Sequence, residues 1–242
     1  MPSWNIHIAH AEALMSAHAP EGLGIADPNA FLFGSCVPDI YVGFMVPDAI
    51  MRIDYRITHR AAGHLVPVPD ADTYWDGYMV KRRVSTEAGL SLLLGTWAHL
   101  ATDACYNARF RVHCKEHEAV IDDGLRRRKQ SDFDLFGRLM GISSHIEVND
   151  ALIEAAWGFP PYRILEEDVR RAIAVADAIV DASGQVDETE GYKELDAEWL
   201  QDTFDTCDRQ LAQWLETWQR FEANGQHPDS AQIREEAGLP RT

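Results

Sequence analysis

An all-α fold is what this sequence predicts, and three features carry the prediction. The last long segment repeats apolar residues at alternating spacings of four and three, namely Leu200, Phe204, Cys207, Leu211, Trp214, Trp218 and Phe221. That is the period of one helix face. The stretch Gly89–Asn107, GLSLLLGTWAHLATDACYN, is apolar almost all round through Leu90, Leu92, Leu93, Leu94, Trp97 and Leu100, as suits a helix sunk in a core. No segment shows the alternation of a half-buried strand. The reading is one all-helical domain over residues 1–224 and a tail over 225–242.

In chain order, Ser3 is placed to cap a first helix with Ile6, Ala9, Ala13 and Leu14 inward, ended by Pro20, Gly22 and Gly24. His7 and His10 fall near that inward face. Asp27-Pro28 opens a short helix reaching Ser35. In Cys36–Ile40, CVPDI, Pro38 predicts an extended turn that holds Asp39 at a fixed angle. Tyr41–Tyr78 reads as a long irregular span with prolines at 47, 67 and 69; spans of that length are usually functional. It contains Thr58-His59-Arg60 and a second histidine, His64. Beyond the central helix, His113–Lys129 reads as an exposed charged helix interrupted near Gly124, and Phe133, Leu135, Phe136, Leu139 and Met140 continue an apolar run. Ser143 or Ser144 caps a helix that Gly158-Phe-Pro-Pro stops. Leu165, Val169, Ala172, Ile173, Ala176 and Val180 mark another amphipathic helix. The final four–three seam reads as an intramolecular packing face, with a homodimer zipper as the alternative.

A chain of 242 residues buries a sizeable core. Its 39 acidic residues outweigh 22 basic ones, for a net charge of −17. That balance argues against nucleic acid and against stable association with anionic membranes, both of which reward basic patches. The four cysteines, Cys36, Cys105, Cys114 and Cys207, show no CxxC spacing and read as reduced thiols of a cytoplasmic protein. The first residues lack the pattern of a signal peptide, and no run is long enough to span a bilayer.

His99 and Asp103 stand one helical turn apart on the central helix. A carboxylate that deep costs several kcal/mol, on the order of a lost ion pair, unless something pairs with it. A bound cation meets that cost; so does a buried His–Asp hydrogen bond. Taken alone, each of His7, Asp39, His59, His99, Asp103 and His145 is most simply a hydrogen-bonded side chain. Taken jointly, acids and imidazoles from five segments of a helical chain point to convergence on a metal. Imidazole and carboxylate without thiolate suit one or two Zn²⁺ ions, and Mn²⁺ or Fe²⁺ suit the same donors. His113-Cys-Lys-Glu116-His117 spells the inverted zinc-protease motif, but its charged surroundings favour a solvated helix face. Arg126–Lys129 is a basic run that balances neighbouring acids or meets a phosphate.

Four pieces in order, MPSWNIHIAHAEALM, FLFGSCVPDI, the THR at 58–60 and GTWAHLATD, resemble the bacterial zinc-dependent phospholipase C family. Single-strand-specific zinc nucleases are distant relatives of that family with the same all-helical fold. The resemblance covers roughly Trp4 to Trp157 and implies a multi-helix domain of that type. It implies a first metal held by Asp39, His59, His99 and Asp103, and a neighbouring metal bound by His7 that shares Asp103. A further family site, His-x3-Glu, is matched by His145 with Asn149 in place of the glutamate. Trp4 is internal, whereas secreted members use the free amine of an N-terminal Trp.

The implied activity is that of a metal-dependent phosphoric ester hydrolase, with a phosphodiester attacked by a metal-activated water. Asp103 would bridge, and Asp39 would ligate or accept the water's proton. Phe44, Tyr55, Tyr74 and Trp75 would form the substrate wall for a small phosphoester or phospholipid-like molecule. Two other classes stay open: a nucleotide or sugar-phosphate phosphohydrolase on the same scaffold, and a non-catalytic metal-binding module.

Overall fold

The computed structural model describes residues 2–61, 66–81, 83–187 and 189–240; His64 lies outside them. Every regular element among the described residues is a helix. The first, α1 (Trp4–Ala17), is buried on nearly all sides, including Asn5, His7 and His10. Ser3 holds its N-cap position without a side-chain cap, because its hydroxyl turns to Asn5 Oδ1 instead. A 3-10 turn at Pro20–Leu23 ends on left-handed Gly24, a conformation that suits glycine. Next, α2 (Pro28–Gly34) is capped by Asp27, which accepts from the Ala30 amide at 2.9 Å. The CVPDI segment is not extended: Val37–Ile40 forms a single turn, α3, with Pro38 at its start. Proline is tolerated there because first-turn amides have no helical partner in any case.

The span from Tyr41 to Tyr78 is more ordered than its composition implies. It contains α4 (Tyr55–Thr58) and α5 (Ala71–Tyr74), capped by Asp54 and Asp70, and then a π turn at Trp75–Met79. The central helix, α6 (Glu87–Glu116), is capped by Thr86 and runs unbroken for 30 residues. It therefore absorbs the His113–Glu116 segment that reads as separate in the sequence. The break falls at residues 117–122 and not at Gly124, which lies inside α7 (Asp123–Leu139). Buried Phe110 and Cys114 keep the charged end of α6 anchored.

Neither Ser143 nor Ser144 caps a helix; their amides donate to Glu12 of α1. The next helix, α8 (Asp150–Trp157), starts later and is capped by Asn149. Then follow α9 (Glu166–Asp181) and α10 (Ala197–Ala223). The residues read as a tail carry α11 (Ser230–Ala237), closed by an Asp229/Gln232 capping box. Buried Ile233 and the Arg234–Asp72 ion pair at 2.6 Å attach it to the domain.

Around α6 the packing is aromatic on one side and glycine-tight on the other. Trp75 meets Trp97, Trp214 and Trp218 with ring centroids 5.3, 5.3 and 5.6 Å apart, joining the π turn, α6 and α10. Edge-on pairs of this kind add about 0.5–1.5 kcal/mol each to the burial of the rings. The four–three seam of α10 is consumed here, within the chain: Leu200, Phe204, Cys207, Leu211, Trp214 and Trp218 are all buried. On the other side α2 crosses α6 at Gly34 and Gly95. A Cβ on Gly95 would stand 2.1 Å from the Phe31 carbonyl oxygen, and one on Gly34 would stand 2.5 Å from that of Leu92.

Of the described helices, none is long and apolar enough to cross a membrane. All four cysteines are free and buried. Gly95→Ala forces methyl against backbone, and overpacking of this kind costs about 1–3 kcal/mol. The expected result is a lower denaturant midpoint by circular dichroism; an unchanged midpoint would show that α2 can retreat at no cost.

Candidate metal centre

The stripe Gly95, His99, Asp103, Asn107 runs along one face of α6 at intervals of four. Because the two glycines let α2 approach, the carbonyl of Ser35, the residue after Gly34, lies 2.7 Å from His99 Nδ1. A carbonyl only accepts, so Nδ1 carries the hydrogen and His99 Nε2 is left with its lone pair. The single turn of α3 then swings Asp39 over the same point, and the chain returns through α4 to place His59 there. Thr58 Oγ1 donates to the Tyr55 carbonyl and accepts from His59 Nδ1 at 2.8 Å. His59 Nε2 is thereby also left as a donor to a cation.

The two Nε2 atoms stand 3.1 Å apart. His59 Nε2 lies 3.5 Å from Asp39 Oδ1 and 3.6 Å from Asp103 Oδ2. His99 Nε2 lies 4.0 Å from Asp39 Oδ2 and 3.8 Å from Asp103 Oδ2. Four ligands at about 2.0–2.2 Å around a tetrahedral ion are separated by about 3.3–3.6 Å; the separations here, 3.1–4.0 Å, lie on both sides of that range, and Asp39, His59 and His99 could hold a metal ion between them. Without a cation, two lone pairs and two carboxylates would repel one another in a buried space.

Asp103 faces two ways. Its Oδ2 accepts from the Tyr55 hydroxyl at 3.4 Å, while its Oδ1 lies 3.5 Å from His7 Nε2. Neither nitrogen of His7, nor Asp103 Oδ1, has a hydrogen-bond partner among the described residues. The His7 ring stacks on His99 at 3.8 Å. His7, His99 and Asp103 thus form a second possible ligand group beside Asp39, His59 and His99.

Burial raises Asp39 to about 8, with the Asp103 carboxylate adding to the shift and the Trp4 indole, which donates at 3.2 Å, opposing it. Burial also raises Asp103 and lowers His99 to about 3, with His7 adding to the latter shift. His7 and His59 are held well below their usual range by burial first and by neighbouring histidines second. Neutral imidazoles are the form that binds metal; the carboxylates need a cation to stay ionised.

Five of the six residues singled out in the sequence meet in this cluster. His145 does not. It is exposed on an extended segment, 3.0 Å from Asp177 and 3.8 Å from Asp181 of α9. That segment is pinned by Glu12 and by Asn29, which accepts from the Glu147 amide at 2.7 Å. Asn149 has spent its side chain on the α8 cap. His113 and His117 stack on each other at the far end of α6, His113 about 21 Å from His99 at 1.5 Å per residue.

The aromatic wall divides as well. Phe44, 86 % exposed, and Tyr55 line a cleft of about 720 Å³ that reaches Asp39. Trp75 is fully buried in the tryptophan cluster, and Tyr74 is buried with its hydroxyl toward the Leu93 carbonyl. Residues not singled out in the sequence orient the donors: Trp4 on Asp39, Thr58 on His59 and the Ser35 carbonyl on His99. Only Thr58, adjacent to His59, gave a local signal. Compared with protein families, curated proteins and solved structures, the chain gives no match.

Asp103→Ala is expected to abolish zinc retention measured by elemental analysis; full zinc content would exclude Asp103 as a ligand. A second expectation concerns pH. In chelator-treated protein the folded state keeps a proton on Asp39 up to about 8, while the unfolded chain releases it near 3.8. Rising pH between those values therefore favours unfolding through this group. The stability difference between wild type and Asp39→Asn should move against wild type across that window, and added zinc should reverse the trend. A pH-independent difference would contradict the burial of an ionisable Asp39.

Proposed function

We propose that the protein is a metal-dependent, zinc-preferring phosphoesterase. The observation that carries the reading is the approach of His59 and His99 to each other and to Asp39 and Asp103, at 3.1–4.0 Å, with Asp39 lining an open cleft beside the buried cluster. Structural zinc sites are closed by four protein ligands buried away from solvent, whereas hydrolytic sites keep access for water and substrate. Asp39 and Tyr55 line the cleft directly, which favours the hydrolytic case over a purely structural one.

When bound, zinc lowers the pKa of a water toward neutrality and stabilises charge on phosphoryl oxygens. The chain's own groups divide the remaining work. His59 and His99 would hold the ion as neutral donors, their rings fixed by Thr58 and by the Ser35 carbonyl. Such partners behind the ligands are themselves worth roughly 10–100-fold in affinity or activity. Asp103 turns one oxygen to this pair and the other to His7, the posture of a carboxylate shared between two neighbouring positions. Asp39, at the cleft surface, is placed to ligate or to take a proton from the attacking water. The resemblance in the sequence favours a phosphodiester, with nucleotide and sugar-phosphate monoesters as the alternative substrates.

Hydrolysis of chromogenic phosphodiesters and phosphomonoesters by zinc-loaded protein tests the reading. Turnover should stop with chelator. His59→Ala should lower the rate by more than about 100-fold, beyond the loss typical of an outer partner. His113→Ala with His117→Ala should leave it unchanged. Chelator-insensitive turnover, or a full rate in His59→Ala, would refute the assignment.

A further inference from the structure

Lys129 on α7 is buried to 4 % exposure, and lysine is almost never buried that far without an opposite charge. Its Nζ donates to Asn107 Oδ1 at 3.3 Å and sits 4.8 and 5.2 Å from the centres of the Phe110 and Phe133 rings. Ring faces make a buried ammonium tolerable; they do not neutralise it. No carboxylate among the described residues forms an ion pair with it.

Asn107 is fixed in turn, donating to the Pro67 carbonyl at 2.7 Å. It stands one turn beyond Asp103 on the same stripe of α6, about 6 Å along the axis. Lys129 lines the cleft that reaches Asp39 and Tyr55. Two further cations of the same helix, Arg126 and Arg127, line that cleft, and both are exposed. Arg126 pairs with Asp123 at 3.1 Å, which also lines it. Arg127 forms no close ion pair among the described residues, although its charge helps to hold the Asp122 carboxyl below its usual range. In a chain of net charge −17, the cleft is lined by three cations against two acids, Asp123 and Asp39, a local excess of positive side chains.

We propose that α7 is the anion-binding wall of this cleft, with Lys129 as its buried anchor and Arg127 at its mouth, and that the substrate carries a second negative charge beside the phosphoester. Two sources of that charge fit: a phosphomonoester dianion, or a diester whose leaving group bears a further acidic group. A headgroup carrying a cation would meet like charge on this wall and be rejected. The substrate class rests on the phosphoesterase reading; the binding of an anion does not.

Calorimetric titration of zinc-loaded protein with inorganic pyrophosphate tests the wall. Wild type should bind it at one site per chain. Lys129→Met, which keeps the packing against both rings, should weaken binding about tenfold, the worth of one charge-assisted hydrogen bond. Lys129→Arg should stay within about threefold, and exposed Arg127→Gln should weaken binding about two- to threefold. Thermal melts check folding, and where Lys129→Met does not fold, Arg127→Gln decides alone. Absence of wild-type binding, or wild-type affinity in the folded variants, overturns the proposal.

Zinc content of the same samples keeps the two claims apart. Pyrophosphate binding that responds to Lys129→Met in a protein that takes up no zinc upholds the wall and refutes the metal centre. Full zinc with binding indifferent to both substitutions refutes the wall alone. The source of the charge is read from KM in Lys129→Met. A rise for p-nitrophenyl phosphate identifies the monoester, and a rise confined to a carboxylate-bearing p-nitrophenyl diester identifies the acidic diester. An unchanged KM for both overturns the substrate class.

Discussion

The backbone crossing of α2 and α6 at Gly34 and Gly95 sets the geometry of everything built beside it. With no side chain on either residue, a carbonyl of one helix reaches the space a methyl would otherwise fill. The residue after Gly34 then presents its carbonyl to His99, and the residue four after Gly95 is His99 itself. One short contact thus fixes a ring orientation, a tautomer and the approach of Asp39. Small residues at close helix crossings usually serve packing alone; here the same closeness also aims His99 at the acidic side chains beside it.

The cluster so formed is energetically unfavourable on its own. Burial opposes every charged state in it, raising both carboxylates and lowering all three imidazoles. Rigid surroundings hold the groups together despite this: the tryptophans between the π turn, α6 and α10, the α10 seam, and the α7 face that meets Asn5 at Gly137. A cation bound there would couple metal affinity to fold stability, since it would relieve repulsion that folding creates. The wall of α7 answers the same imbalance from outside the cluster. Its buried ammonium lies in the field of Asp103.

Much of this was legible in the sequence where the signal is local. A helix repeats every 3.6 residues, so His99 and Asp103 were readable as neighbours, and the α10 seam as a buried face. Asp39, His59 and His7 lie on other elements, and no local period ties them to His99; the order of four short motifs suggested the grouping. Where local rules misled, a tertiary contact had won. Ser143 and Ser144 look like caps, but their amides are held by Glu12. Trp75 looks like a loop aromatic, but three other tryptophans enclose it. Residues 225–242 look like a tail because α11 is short, and only the fit of Ile233 and Arg234 against the domain reveals it. Lys129 was visible only as part of a basic run, since its burial depends on Phe110 and Phe133 from two helices.

On the reading proposed above, one cation joins His59 and His99 to Asp39 and Asp103. Anomalous scattering at the zinc absorption edge, from crystals of protein purified with zinc, tests it most directly. The expected result is a peak about 2.0–2.1 Å from both His59 Nε2 and His99 Nε2, with carboxylate oxygens of Asp39 and Asp103 in contact and one position open to water. Zinc found only at surface histidines such as His145, with the His59 and His99 nitrogens still facing each other unbridged, would contradict it.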